Sequence, residues 1–176
     1  MSVNDMDIMR IAVGLEKYTW IMEHIYATDV SQDLEFQKKF NGFYRMRQRP
    51  ASFYKLFFTY LEQNKNNKNL TYSAVLNYLY LETGAIHASF GSKLLATVNP
   101  TMPVWDQFVL KNLGLKKPNY NDPNRLEKTV QLYHQICDWY LSDEANEQKK
   151  IFEQHFPDIH ISDTKKADFV LWATRD

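Results

Sequence analysis

Residues 89–115, SFGSKLLATVNPTMPVWDQFVLKNLGL, decide the fold of this chain. On both sides of the proline-flanked turn NPTMP, apolar residues recur with the spacing of an amphipathic helix. The pattern predicts a short helix over 91–98, ended by Asn99 and Pro100, and a second over 104–113, with Gly114 at its end. Two helices joined by a short turn therefore form the centre of the expected fold.

The segment before this stretch predicts another helix, which completes a hairpin. Thr71 is positioned to cap a helix that ends near Thr83, and Gly84 suits a left-handed terminator. We therefore expect a hairpin-like element over about 73–113.

The rest of the chain shows the same helical period and no convincing strand. Before the central stretch, one helix is predicted to end near Ala27, a second to begin at Ser31, and a third to begin at Pro50 and end before Asn66. After it, helices are predicted to begin at Asp122 and Pro123, at Ser142 and at Ser162. The sequence predicts an all-α protein, one compact multi-helix domain over 1–176 with eight or nine helices.

Composition excludes several classes of protein. With 176 residues, 44% hydrophobic and 24% charged, the chain is neither disordered nor fibrous. Because 21 Lys and Arg balance 21 Asp and Glu, no global positive field draws the protein to nucleic acid or anionic lipid. Nucleic-acid binding therefore requires a local basic patch.

Cysteine and histidine usage argues against a metal or cofactor. The lone Cys137 cannot form an internal disulfide, a four-thiolate zinc site or an iron–sulfur cluster, and the five histidines have no zinc-ligand spacing. At the amino end, acidic residues precede the first basic residue, unlike in a secretory signal peptide. No segment approaches the length of about 18 apolar residues that a membrane-spanning helix needs. We expect a cytoplasmic protein without a cofactor, a metal or a membrane partner.

Two segments of the central stretch carry a family resemblance. Residues 89–93 read SFGSK and residues 103–109 read PVWDQFV, an order that resembles the helix-hairpin-helix DNA glycosylase superfamily. That superfamily has a hairpin of pattern G-x-G-x-K followed by a segment such as P-V-D-x-x-V. The second glycine and the lysine match at Gly91 and Lys93, Ser89 replaces the first glycine, and Trp105 is an insertion before Asp106.

The resemblance implies a DNA partner and a catalytic pair. Asp106 would stabilise the positive charge that develops on the sugar as the N-glycosidic bond breaks. Lys93 would attack the anomeric carbon and form a Schiff base, which adds strand-cleaving lyase chemistry to base release. Trp105 would line the site.

The hairpin itself is implied to contact the DNA backbone. Ser89, Gly91 and Ser92 would bring backbone N–H groups to a phosphate, a contact that is independent of DNA sequence. Residues of the hairpin and of the catalytic pair also have purely structural interpretations. Gly91 can form a tight turn, Asp106 can cap its helix, and Lys93 can be solvated.

The densest basic segment of the chain lies at 44–49, YRMRQR. Arg45, Arg47 and Arg49 are candidates for contacts with phosphates, while the structural interpretation is a solvated helix end whose cations complement the helix dipole. The sequence thus favours a DNA-binding protein similar to DNA glycosylases. The alternative is a non-catalytic domain of the same fold that binds nucleic acid or another protein.

Overall fold

The computed structural model describes residues 3–105 and 107–174, and within these ranges it contains helices and no strand. The helices are α1 (Asp5–His24), α2 (Leu34–Phe43), α3 (Ala51–Asn64), α4 (Tyr72–Thr83), α5 (Ala88–Val98), α6 (Gln107–Asn112), α7 (Arg125–Trp139), α8 (Asp143–His155) and α9 (Asp163–Ala173). For this part of the chain, the prediction of an all-α protein with eight or nine helices is confirmed. No helix in these ranges is both long enough and apolar enough to cross a membrane.

Side-chain caps fix several of the predicted boundaries. The hydroxyls of Thr71, Ser142 and Ser162 accept backbone N–H groups at the starts of α4, α8 and α9, as predicted. Gly84 and Gly114 adopt φ angles of 69° and 64°, the left-handed conformation expected after a helix. The polar residues at these boundaries therefore specify them locally.

Three other boundaries were predicted wrongly. Ser31 does not cap α2, because its hydroxyl donates to Asp29 and the Asp33 carboxylate caps the helix instead. α1 ends at His24 rather than near Ala27. α7 begins at Arg125, since the carboxylate of Asp122 accepts the backbone N–H of Asn124 in a turn that precedes the helix.

The central hairpin also departs from the prediction. α5 begins at Ala88 rather than at residue 91, and α6 spans only Gln107–Asn112. A connection of four residues, 84–87, joins α4 to α5, and the two helices pack against each other. Gly91 therefore lies inside a helix and not in the turn of the hairpin.

Two apolar clusters hold the helices together. The larger cluster packs α2, α3, α4, α5 and α7 together and is rich in aromatic side chains, with Phe36, Phe40, Phe57 and Phe58 fully buried. The smaller cluster joins α1, α8 and α9 around Phe152. The hydroxyls of Ser162 and Thr164 donate to carbonyl groups in the 99–103 turn, which anchors α9 beside the hairpin.

Candidate nucleic-acid interface

Gly91 faces the core rather than solvent. It is buried, and a Cβ at this position would lie 3.5 Å from the Val75 side chain of α4, an ordinary van der Waals distance. Its amide N–H donates to the His87 carbonyl at 2.8 Å. The expectation of a tight turn at Gly91 is therefore wrong, and the N–H group of Gly91 is already used by the helix.

Ser92 joins α5 to the segment that precedes α6. Its hydroxyl is buried, donates to the Ser89 carbonyl at 2.9 Å and accepts the backbone N–H of Trp105 at 2.8 Å. Trp105 is 2% exposed, and its ring lies parallel to that of Tyr72 with centroids 6.4 Å apart. The hydrogen bonds of Ser92 thus hold the predicted site-lining tryptophan in place.

A cleft of about 410 Å³ runs past the start of α5, and we call it the basic cleft. Its lining residues are Tyr44, Arg45, Arg47, Arg49, Ile86, His87, Ala88, Ser89, Phe90, Lys93, Trp105, Gln107, Lys117, Pro118, Arg125 and Thr129. Six of the residues in this lining are Lys or Arg, and none of the described ones is acidic. A chain of zero net charge thus concentrates positive charge at one place.

The cations of the basic cleft come from separate parts of the chain. Arg45, Arg47 and Arg49 lie between α2 and α3, Lys117 lies between α6 and α7, and Arg125 is the first residue of α7. The predicted arginine cluster is thus brought together with two cations that sequence analysis missed. Lys117 and Arg125 are far from the cluster in sequence and lie in no recognisable motif, so only the fold reveals them.

Aromatic rings hold some of these guanidinium groups in place. The Arg49 guanidinium lies 4.9 Å from the centroid of the Phe90 ring, and that of Arg45 lies 4.8 Å from the centroid of Trp172. Arg45 has a φ angle of 48°, in the left-handed region that a non-glycine residue adopts at a cost in free energy. The backbone at Arg45 is therefore strained where the basic cleft begins.

The start of α5 forms part of the lining of the basic cleft. His87, which precedes the helix, makes no side-chain capping bond, and Ser89 and Phe90 line the cleft in the first turn. Burial and, to a lesser extent, the charge of Arg49 lower the pKa of His87 below its ordinary value. The lowered pKa favours the neutral form of the His87 imidazole, so the positive charge of the basic cleft comes from its Lys and Arg side chains.

Lys93 lies at the junction of the basic cleft with a second cavity. The residue is 9% exposed, and its Nζ lies 5.7 Å from the centroid of the Phe90 ring. The Thr97 hydroxyl donates to the Lys93 carbonyl at 2.7 Å and accepts a hydrogen bond from the Tyr44 hydroxyl at 2.9 Å. Asp106, the other predicted catalytic residue, lies outside the described residues.

The second cavity, of about 360 Å³, has mainly apolar exposed surface, and we call it the apolar pocket. α1, α9 and the residues that follow α2 form most of its walls. It shares Tyr44, Arg45 and Lys93 with the basic cleft, so the two cavities adjoin.

One ion pair lies in the lining of the apolar pocket. Lys165 Nζ and Asp168 Oδ2, one helical turn apart on α9, are separated by 2.9 Å, and the Lys165 side chain is only 2% exposed. Sequence analysis missed this pair because an i,i+3 Lys–Asp pair in a short helix is typical of a solvated face.

Comparison of the chain with known proteins adds no relative to this geometry. No protein-family model, no curated protein and no solved structure matches it.

Proposed function

We propose that this protein binds DNA through the basic cleft and cleaves the N-glycosidic bond of a damaged nucleotide with Lys93 as the nucleophile. The observation that carries the proposal is the position of Lys93. It lies where a cleft suited to the phosphate backbone meets a cavity with apolar walls. A nucleotide that spans the two cavities would bring its sugar to this junction.

Phosphate binding rests on the charge of the basic cleft. Among the described residues, five cations besides Lys93 line it, and they come from separate parts of the chain. Lys and Arg contacts to phosphates supply affinity that is independent of DNA sequence. The predicted phosphate contacts of Arg45, Arg47 and Arg49 belong to this proposal, while those of Gly91 and Ser92 do not, because both residues are buried in the packing of α5.

The chemistry proposed for Lys93 follows from its amine. Once the ammonium group has given up a proton, Nζ forms a bond to the anomeric carbon of the sugar, and the N-glycosidic bond breaks with its electron pair leaving on the base, which takes up that proton. Loss of the amine proton and opening of the sugar ring give a Schiff base, and water then releases the lysine. Asp106 enters the proposal only through the family resemblance, as the carboxylate that stabilises the cationic sugar.

Trapping with borohydride tests the proposal directly. Borohydride reduces a Schiff base, so the wild-type protein should become covalently joined to DNA that contains an abasic or damaged site. Lys93→Ala should abolish the adduct. Lys117→Ala is the matched control, because it removes another lysine of the basic cleft and should weaken binding without preventing trapping.

The alternative is a binding domain on the same fold without chemistry, and the low exposure of Lys93 favours it. In that case the protein would bind duplex DNA, but no adduct would form on any abasic or damaged substrate. That result would contradict the catalytic part of the proposal and leave DNA binding in place.

A further inference from the structure

The ion pair in the apolar pocket combines a hydrogen-bond donor with an acceptor. Lys165 Nζ donates to Asp168 and lies 5.4 Å from the centroid of the Tyr18 ring and 6.0 Å from that of Tyr44. Among the described residues no second oxygen accepts from it, so the pair with Asp168 uses one of the three N–H bonds of the ammonium group. Asp168 is less enclosed, with 18% of its side chain exposed, and its other oxygen accepts from the Tyr140 hydroxyl at 3.3 Å. Each carboxylate oxygen keeps a further lone pair for a ligand.

We propose that Lys165 and Asp168 are specificity-determining residues that select a nucleobase with a lactam edge, an N–H group beside a carbonyl oxygen. The proposal rests on the proposed function, because it assigns the base of the bound nucleotide to the apolar pocket. Guanine and uracil, and oxidised bases that keep this edge, belong to the class.

The chemistry of the pair explains the choice of edge. The Lys165 ammonium can only donate, so it requires an acceptor such as the carbonyl oxygen of a lactam. The Asp168 carboxylate can only accept, so it requires the adjacent ring N–H. Adenine and cytosine present an amino donor and an unprotonated ring nitrogen instead, which would place donor against donor and acceptor against acceptor.

The walls of the apolar pocket suit a planar ring. Phe43, Phe169 and Trp172 line it beside Val13 of α1, and the Phe43 and Phe169 rings lie with their centroids 6.3 Å apart. A base taken out of the helical stack is held by contacts of this kind together with hydrogen bonds to its edge. The two polar groups of α9 then supply the selectivity that aromatic walls do not provide.

The selectivity can be measured without catalysis by titrating the protein with deoxynucleoside monophosphates. We expect dGMP and dUMP to bind about tenfold more tightly than dAMP and dCMP, since one well-placed pair of hydrogen bonds discriminates by this order. Asp168→Asn should reduce the preference to about twofold or less. Glu153→Gln is the matched control, because it removes a carboxylate that pairs with another lysine of α9, Lys166, outside the pocket.

A second variant protects the test against misfolding. Asp168→Asn leaves the Lys165 charge without its partner, whereas Lys165→Met combined with Asp168→Leu replaces the pair by apolar side chains, an exchange that buried pairs often tolerate. The double variant should bind all four nucleotides with equal affinity. If the wild type shows no preference, or if the folded double variant keeps it, the assignment of the pair is wrong.

Failure of this inference is distinguishable from failure of the proposed function. Binding of DNA and trapping by Lys93, together with equal affinity for the four nucleotides, would remove the inference alone. A lactam preference that depends on Asp168, without DNA binding or trapping, would remove the proposed function and leave a nucleotide site.

Discussion

Replacing Arg45, Arg47 and Arg49 together by Gln should flatten the salt dependence of DNA binding. Excluding Lys93, five cations line the basic cleft, and each phosphate contact adds about 0.9 to the slope of log K against log salt for duplex DNA. The expected slope is therefore about −4.5 for the wild type and about −1.8 for the triple variant.

These slopes correspond to a large difference in affinity. Between about 50 and 200 mM salt, the wild type should lose about 500-fold in affinity and the triple variant only about 12-fold. Fluorescence anisotropy with a labelled duplex that carries an abasic-site analogue measures both values in one titration series. Because phosphate contacts carry no base information, the loss should be the same for duplexes of different sequence.

A charge-matched control separates local contacts from net charge. Lys38, Lys68 and Lys150 are exposed and lie outside the basic cleft, so changing all three to Gln removes the same charge from other surfaces. This control should keep the wild-type slope to within about one phosphate contact. Equal slopes for the wild type and the arginine variant would refute the cleft as a phosphate-binding surface.

Three further predictions concern stability. Ser92→Ala should reduce the free energy of unfolding by about 1 to 3 kcal/mol in a denaturant titration, because the buried N–H of Trp105 loses its acceptor; an unchanged midpoint would contradict this. Leu171→Ala should cost about 2 to 5 kcal/mol, and a loss below about half a kcal/mol would mean that α9 is loosely attached. The pKa of His87 is lower in the folded chain, so the unfolded chain takes up the proton first. Its contribution to stability is present above pH 6.5, its ordinary value, and is lost as the pH falls below it. His87→Gln should remove that part of the pH dependence of unfolding. Identical pH profiles for the variant and the wild type would contradict this prediction.

Much of the fold follows from local chemistry that a sequence displays. Thr71, Ser142 and Ser162 cap the helices where the pattern places them, because a hydroxyl next to an amphipathic segment has one common use. The predicted start at Ser31 is wrong because Asp33 is a second capping residue near the same helix start, and its carboxylate accepts the N–H of Phe36. Where two capping residues lie close together, the sequence alone does not decide between them.

The candidate site is less accessible to prediction from the sequence because it depends on which connections the fold brings together. The arginine cluster is evident in the sequence, but Lys117 and Arg125, which line the same cleft, come from another part of the chain. Likewise, nothing local distinguishes Lys165 and Asp168 from a surface pair. Their significance comes from burial against α1 and the residues after α2.

The left-handed backbone at Arg45 places a strained residue in the proposed binding surface. A non-glycine residue in this conformation costs about 1 kcal/mol or more, and glycine would adopt it without that cost. Arg45→Gly would relieve this strain, and the same change would remove the contact with the Trp172 ring and a guanidinium from the place where the basic cleft meets the apolar pocket. Backbone strain and the proposed binding of a ligand therefore set different requirements for the residue at this position.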